Sequence, residues 1–373
     1  MQSAAIVSAA VAIVLAATTT TSLGAQSVTV GVVGPLTGDF AVVGISQVNG
    51  AKLKVAQLAK TDLGVNIHLV PEDDASKCDQ SVNATTKLVE QERADAILGA
   101  GNSPCALAMV PITARDEVPQ FTVGIGAAIT QQGSKYVFRV APSAAVQTQA
   151  LANFAVGKLH LKKIAILYTN DEYGKSAGEA MRAALKAKGL EPSVFEAWTI
   201  GDKDFSGQLS KVKSSGADAL FATGSVADAA LIARQARQMG LTVRLLGDTG
   251  TANDTYIKLG GSAVEGAVVA FPFDPRSNEP AVRDFVRTYQ ATYGRLPNSW
   301  DAEMYDAVGM IHAAVKHTGK TDGKSIRDYI ASLRRSSGYR GVMGDIYFDA
   351  NGDAQFALNM ARIKNGQFVD IGR

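Results

Sequence analysis

From Val28 onward, short apolar runs alternate with longer segments whose apolar residues recur at helical spacing, and the connections between them are brief and polar. Strands joined through helical crossovers pair in parallel, and a parallel sheet must be covered by helices on both faces. Strand patterns at 28–33, 65–70 and 120–123, and the apolar start of 96–105, alternate with helix patterns at 44–60, 80–93 and 104–115. Near Ala141-Pro142-Ser143 the alternation restarts, with helices at 146–159, 174–188 and 227–239 and strands at 163–168, 192–198, 219–223 and 244–247. A third block has helices at 280–292, 299–316 and 324–333 with no strand between them, followed by short strands near 342–348 and 358–364. Such helices must cover a sheet laid down earlier. Phe271-Pro272-Phe273-Asp274-Pro275 is a stiff segment suited to a crossing between lobes. The sequence therefore predicts an α/β protein of two doubly wound parallel-sheet lobes joined by a three-strand hinge. Residues 28–142 plus 273–343 form the first lobe and 143–272 plus 344–373 the second. A chain of 373 residues with 46% hydrophobic content is long enough for two such cores.

The net charge of +2 comes from interspersed Lys, Arg, Asp and Glu. No basic block is present to neutralise a row of phosphates, so no nucleic-acid partner is expected. Residues 4–17 form an apolar run shorter than a membrane span, followed by a Thr/Ser stretch and the small residues Gly24 and Ala25 before Gln26. This predicts a secretory signal peptide over 1–25 and a periplasmic location. In an exported chain the two cysteines, Cys78 and Cys105, predict a disulfide. His68, His160, His312 and His317 share no ligand spacing with them, and neither a metal nor another cofactor is expected.

The stretch Ala96-Ile97-Leu98-Gly99-Ala100-Gly101-Asn102-Ser103-Pro104-Cys105 runs from an apolar strand into small residues, then a serine and a proline at a helix start. Amides in the first turn of a helix lack intrahelical acceptors and hold anions well, and Ser103 adds a hydroxyl donor. The plain alternative for Ser103 is a helix cap. Two enzyme readings fail on the residues. Gly101-Asn102-Ser103-Pro104-Cys105 approaches a G-x-S-x-G nucleophile elbow but lacks its final glycine, and His312 and His317 lie in a helix patterned for packing. Gly124-Ile125-Gly126 follows a strand as dinucleotide loops do, but Ile129 stands at the third glycine position.

Further motifs follow in order along the chain. They are Gly34-Pro35-Leu36-Thr37-Gly38, Asp73-Asp74 before Cys78, Ser103 before a helix leading to Val118-Pro119, and Asp171-Glu172-Tyr173-Gly174. Lys203-Asp204-Phe205-Ser206, Arg234-Gln235-Ala236-Arg237, Tyr305-Asp306-Ala307, and Gly344 with Phe348-Asp349 and Gly352-Asp353 complete the series. In this order they resemble the extracytoplasmic solute-binding proteins of ABC importers of the branched-chain amino acid type, which have the type I periplasmic-binding fold. The resemblance implies a non-enzymatic monomer that closes two lobes around a small carboxylate, an amino acid or organic acid, and delivers it to an ABC permease in the inner membrane. It implies that Ser103 and backbone amides of the loop holding Gly124 and Gly126 bind the carboxylate, while Tyr173 reaches across from the second lobe.

Two departures bear on the cargo. Amino-acid binders of this type commonly carry a hydroxyl residue where this chain has Gly126. Their glutamate against the ligand ammonium falls on Thr249 here, flanked by Asp248. Burying an ammonium without its counter-charge costs about 2 to 5 kcal/mol. Either Asp248 turns into the cleft or the cargo is an aromatic or aliphatic acid lacking an amine. Val43 and Ser225 stand where some relatives have aromatic residues, leaving Trp300 and Tyr305 for stacking. A ligand-sensing role beside a membrane receptor is the alternative use of the same fold.

Overall fold

The computed structural model describes residues 25–355 and 358–373. The signal-peptide reading, apart from Ala25, lies outside the described residues. The chain begins with β1 (Gln26–Gly34), α1 (Ala41–Thr61), β2 (Val65–Asp73), α2 (Cys78–Glu90), β3 (Ala96–Gly99), α3 (Ser103–Arg115), β4 (Gln120–Thr122), α4 (Ala128–Gln131) and β5 (Val137–Arg139). The five strands form a parallel sheet in the order β2-β1-β3-β4-β5. Inner position explains the unbroken apolar run of β1, because both faces of that strand are covered.

A second lobe follows, with α5 (Ala144–Gly157), β6 (Ile164–Thr169), α6 (Glu172–Lys186), β7 (Val194–Trp198), α7 (Ser206–Ser214), β8 (Ala219–Thr223), α8 (Val226–Gln238), β9 (Arg244–Gly247), α9 (Asp254–Gly260) and β10 (Val268–Phe271). The chain then returns through α10 (Pro280–Tyr293), α11 (Ser299–Thr318), α12 (Gly323–Ser332), β11 (Tyr339–Gly341), β12 (Gly344–Phe348) and β13 (Ala354–Gln355) before ending in β14 (Asn359–Lys364) and β15 (Gln367–Gly372). The second sheet runs β15-β14-β10-β9-β8-β6-β7, parallel except where β14 and β15 add antiparallel strands at one edge.

Each sheet is buried on both faces. In the first lobe, α1, α10, α11 and α12 cover one face and α2 and α3 the other. In the second, α7 to α9 lie opposite α5 and α6. Helices α1 and α11 approach closely because position 50 is glycine: a Cβ there would run into the carbonyl oxygen of Asp301. A bond between Cys78 and Cys105 ties the start of α2 to the first turn of α3.

One lobe boundary differs from the sequence reading, which began the final second-lobe segment at 344. The strand Gly344–Phe348 pairs with β11 and β13, Phe348 packs edge-on against Phe138, and Asp353 bridges to Arg139. Apolar contact thus keeps 344–355 with the first lobe, whereas β14 pairs with β10 in the second sheet. Strand β12 falls within the short strands expected near 342–348, whereas β5, β11 and β13 have no counterpart in the sequence patterns, since strands of two or three residues carry too few alternations to register.

Candidate functional site

In both sheets the first strand in sequence lies between the second and third, so the chain leaves it in opposite directions on its two sides. Such a switch point opens a crevice at the carboxyl ends of the strands. In the first lobe the crevice lies between β1 and β3, and in the second between β6 and β8. The two face each other. A narrow cleft lies between them, lined by Ser103, Gly124, Tyr173, Gly224, Thr249 and Gly250 among others. Phe40, Val42, Val43, Ile125, Val226 and Trp300 supply its apolar walls.

On the first-lobe wall, β3 ends at Gly99, whose φ of 136° suits glycine and whose missing Cβ leaves room for the carbonyl oxygen of Val33. Asn102 then caps α3 in an extended conformation, with no capping bond from its side chain. Pro104 carries no N–H and the Ala106 N–H donates to the Asn102 carbonyl at 2.9 Å, so the Ser103 and Cys105 amides are the first-turn donors without an intrahelical acceptor. Ser103 is 1% exposed, and its Oγ accepts the Gly126 N–H at 3.0 Å. A hydroxyl that accepts one bond still has its own proton to donate.

The loop carrying Gly124 and Gly126 is held from behind by Arg139, a fully buried residue at the end of β5. Its guanidinium donates to the Gly124 carbonyl at 3.0 Å, the Gly126 carbonyl at 2.9 Å and Thr130 Oγ1 at 2.8 Å, and it pairs with Asp353 Oδ1 at 2.7 Å. Sequence reasoning passed over Arg139, whose setting in a three-residue strand gives no periodic signal.

On the second-lobe wall, Asp171 caps α6 by accepting the Gly174 N–H at 2.9 Å, which sets the direction of Tyr173. The Tyr173 hydroxyl donates to the Asp248 carboxylate, 2.9 Å from each oxygen. Thr223 Oγ1 at 2.5 Å and the Gly250 N–H at 2.9 Å donate to the same carboxylate. Burial pushes the Asp248 pKa up against the pull of those donors. Burial and the adjoining Asp248 charge push the Tyr173 phenol well up, so it remains a donor at neutral pH. The Thr249 N–H donates to Gln147 Oε1 at 2.9 Å, and its side chain lies at the cleft wall.

Of the residues singled out in the sequence, Ser103, Gly124, Tyr173 and Thr249 therefore meet at the cleft. Gly126 and Asp248 stand one layer behind, bonded to Ser103 and Tyr173 respectively. Trp300 lines the cleft, whereas Tyr305 packs on Phe285 and bonds Gln57 in the first-lobe core. Ser225 is taken up as the cap of α8, accepting the Asp228 N–H at 3.2 Å.

The sequence of residues 27–367 matches the family model described as periplasmic binding protein. A Leu/Ile/Val-binding protein homolog of Brucella melitensis is 28% identical over 79% of this chain and 80% of its own length. A leucine-, isoleucine-, valine-, threonine- and alanine-binding protein of Pseudomonas aeruginosa is 27% identical over 89% of this chain and 88% of its own. The crystal structure of a leucine-binding protein, LivK, from Thermotoga maritima superposes with a TM-score of 0.86 at 30% identity, over 92% of this chain and 97% of that one. An ABC transporter solute-binding protein from R. palustris, solved with benzoate, shares the fold at a TM-score of 0.83 and 23% identity, over 93% and 96% of the two chains. With two parallel-sheet lobes meeting at facing switch points, the chain belongs to the periplasmic binding protein family and is of the leucine-binding-protein type.

Proposed function

We propose that this protein is the substrate-binding component of an ABC importer. It captures an amino acid or related small carboxylate between its lobes by hinge closure and presents it, as a periplasmic monomer, to a permease in the inner membrane. The observation that carries this reading is the placement of Ser103, at the first turn of α3, across one cleft from Tyr173 and Thr249. Charge-assisted hydrogen bonds contribute about 1.5 to 3 kcal/mol each, so three supply roughly 4.5 to 9. Micromolar binding requires about 8.2 kcal/mol. Burial of an apolar ligand body against Phe40, Val42, Val43 and Trp300 adds to this and offsets the cost of ordering ligand and lobes.

A second reading, in which the cargo lacks an amine, is favoured by Asp248. Its oxygens already accept from Tyr173, Thr223 and Gly250, and it does not line the cleft. The benzoate held by the R. palustris neighbour is a ligand of this class. A thermal-shift panel on protein stripped of carried-over ligand decides between the two. Leucine, valine and phenylalanine are set against benzoate and aliphatic acids, each at 100 times its dissociation constant, where about 2.7 kcal/mol of stabilisation is expected. Stabilisation by the amino acids supports the first cargo, and stabilisation by amine-free acids alone supports the second. A panel with no stabilising acid would overturn both.

A further inference from the structure

The two lobes touch at a place that belongs to neither cleft wall. Residues 126–128 of the first lobe follow β4 and lead into α4, and opposite them stands the first turn of α6. The Ala127 N–H donates to Ser176 Oγ at 3.0 Å, and the Ala128 N–H donates to Glu172 Oε1 at 3.3 Å. Ser176 Oγ in turn donates to Glu172 Oε1 at 2.9 Å, so one carboxylate oxygen gathers both donors. None of these four residues lines the cleft.

Gly126 admits this arrangement. A Cβ on it would lie 2.9 Å from Glu172 Cγ, 3.0 Å from Glu172 Oε1 and 3.0 Å from Ser103 Cβ. The absence of a side chain at this position, where a hydroxyl residue would be expected to face a ligand, lets a carboxylate from the other lobe close against the loop.

We propose that Glu172 and Ser176 form a clasp that favours lobe closure without touching the cargo, and that Gly126 is glycine to seat it. The proposal rests on the closure reading above. It makes Glu172 and Ser176 positioning residues for ligand capture: they raise the fraction of molecules in the closed, binding-competent form. Apparent affinity scales with that fraction, whatever the ligand. Cleft residues such as Ser103 instead change the preference among ligands.

The test is a Glu172→Ala/Ser176→Ala double variant of the mature chain, with melting temperature as the check on folding. Hydrogen exchange of the peptide spanning 124–131, without ligand, should be faster at Ala127 and Ala128 by on the order of 10-fold than in the parent. Titration calorimetry with L-leucine, L-valine and benzoate should show every probe that binds weakened by one common factor, on the order of 10. Glu172→Gln, which keeps the acceptor, should stay within about threefold of the parent. Unchanged exchange at Ala127 and Ala128 overturns the clasp, as does a loss of affinity that differs among probes. If no probe binds the parent, the cargo reading fails while the exchange experiment still decides the clasp.

Discussion

Replacing Arg139 with methionine tests whether the loop at the cleft is held from behind. Methionine keeps an unbranched apolar stem of similar reach and removes every donor. The change removes the guanidinium from the Gly124 and Gly126 carbonyls and from Thr130 Oγ1, and leaves the Asp353 carboxylate, whose side chain is 14% exposed, without its counter-charge and with Thr130 Oγ1 at 3.1 Å as its remaining side-chain donor on that face. Breaking a buried pair from one side costs about 3 to 5 kcal/mol, a large part of the roughly 5 to 15 kcal/mol that holds an ordinary domain together. Urea unfolding of ligand-stripped protein should show the midpoint falling by that equivalent with an unchanged slope. A cycle with Asp353→Asn should give a coupling energy of about 0.5 to 3 kcal/mol. Ligand affinity should fall as well, because the loop carries the amide that orients Ser103 Oγ. A loss below about 1 kcal/mol, or strictly additive variants, refutes the reasoning.

Three further outcomes follow. Ser103→Ala removes one charge-assisted donor, worth about 1.5 to 3 kcal/mol, and should weaken carboxylate binding about 10- to 150-fold by calorimetry; an unaltered dissociation constant removes Ser103 from the site. Converting Cys78 and Cys105 together to serine opens a bridge of sequence separation 27, which in the chain-entropy model costs about 3.5 kcal/mol in urea unfolding; no loss would mean that the bridge leaves the unfolded chain unconstrained. Glu303 is 1% exposed, neither of its carboxylate oxygens has a partner, and burial, reinforced by Asp301 and Asp306, drives its pKa well up. The native state then keeps a proton that the unfolded chain releases above about pH 4.3, so this stability is fully present below that pH and is lost as pH rises towards the native pKa. Glu303→Met should accordingly gain more stability at pH 8 than at pH 5, and an equal gain at both would contradict the assignment.

The elements that could be read from the sequence were those whose signal is local. Helix α8 follows its apolar spacing to within a residue of the expected 227–239, and Ser103 and Tyr173 sit at strand-to-helix turns that composition marks. The remainder depends on partners far along the chain. Arg139 takes its role from Asp353, 214 residues away, and the direction of Asp248 is fixed by a tyrosine hydroxyl 75 residues earlier. A loop carboxylate next to Thr249 reads identically whether it faces solvent, ligand or phenol. The boundary expected at 344 failed for the same reason: what retains that segment is the contact of Phe348 with Phe138, which no local pattern encodes.

The division of the first lobe between the two ends of the chain also sets an order of assembly. Strands β1 to β5 emerge from synthesis first, yet α10 to α12, which cover one face of their sheet, follow only after the second lobe. Until Pro280 and the residues beyond it arrive, Val30, Leu98 and Phe121 lack that cover, while β6 to β10 already form a contiguous run able to close its own parallel array. The nascent first lobe must therefore wait, partly bare, for contacts of long sequence separation, which form slowly and leave apolar surface open to association. A chain cut just before Pro280 would retain every cleft segment except Trp300 and still lack the layer that makes its first sheet a stable wall.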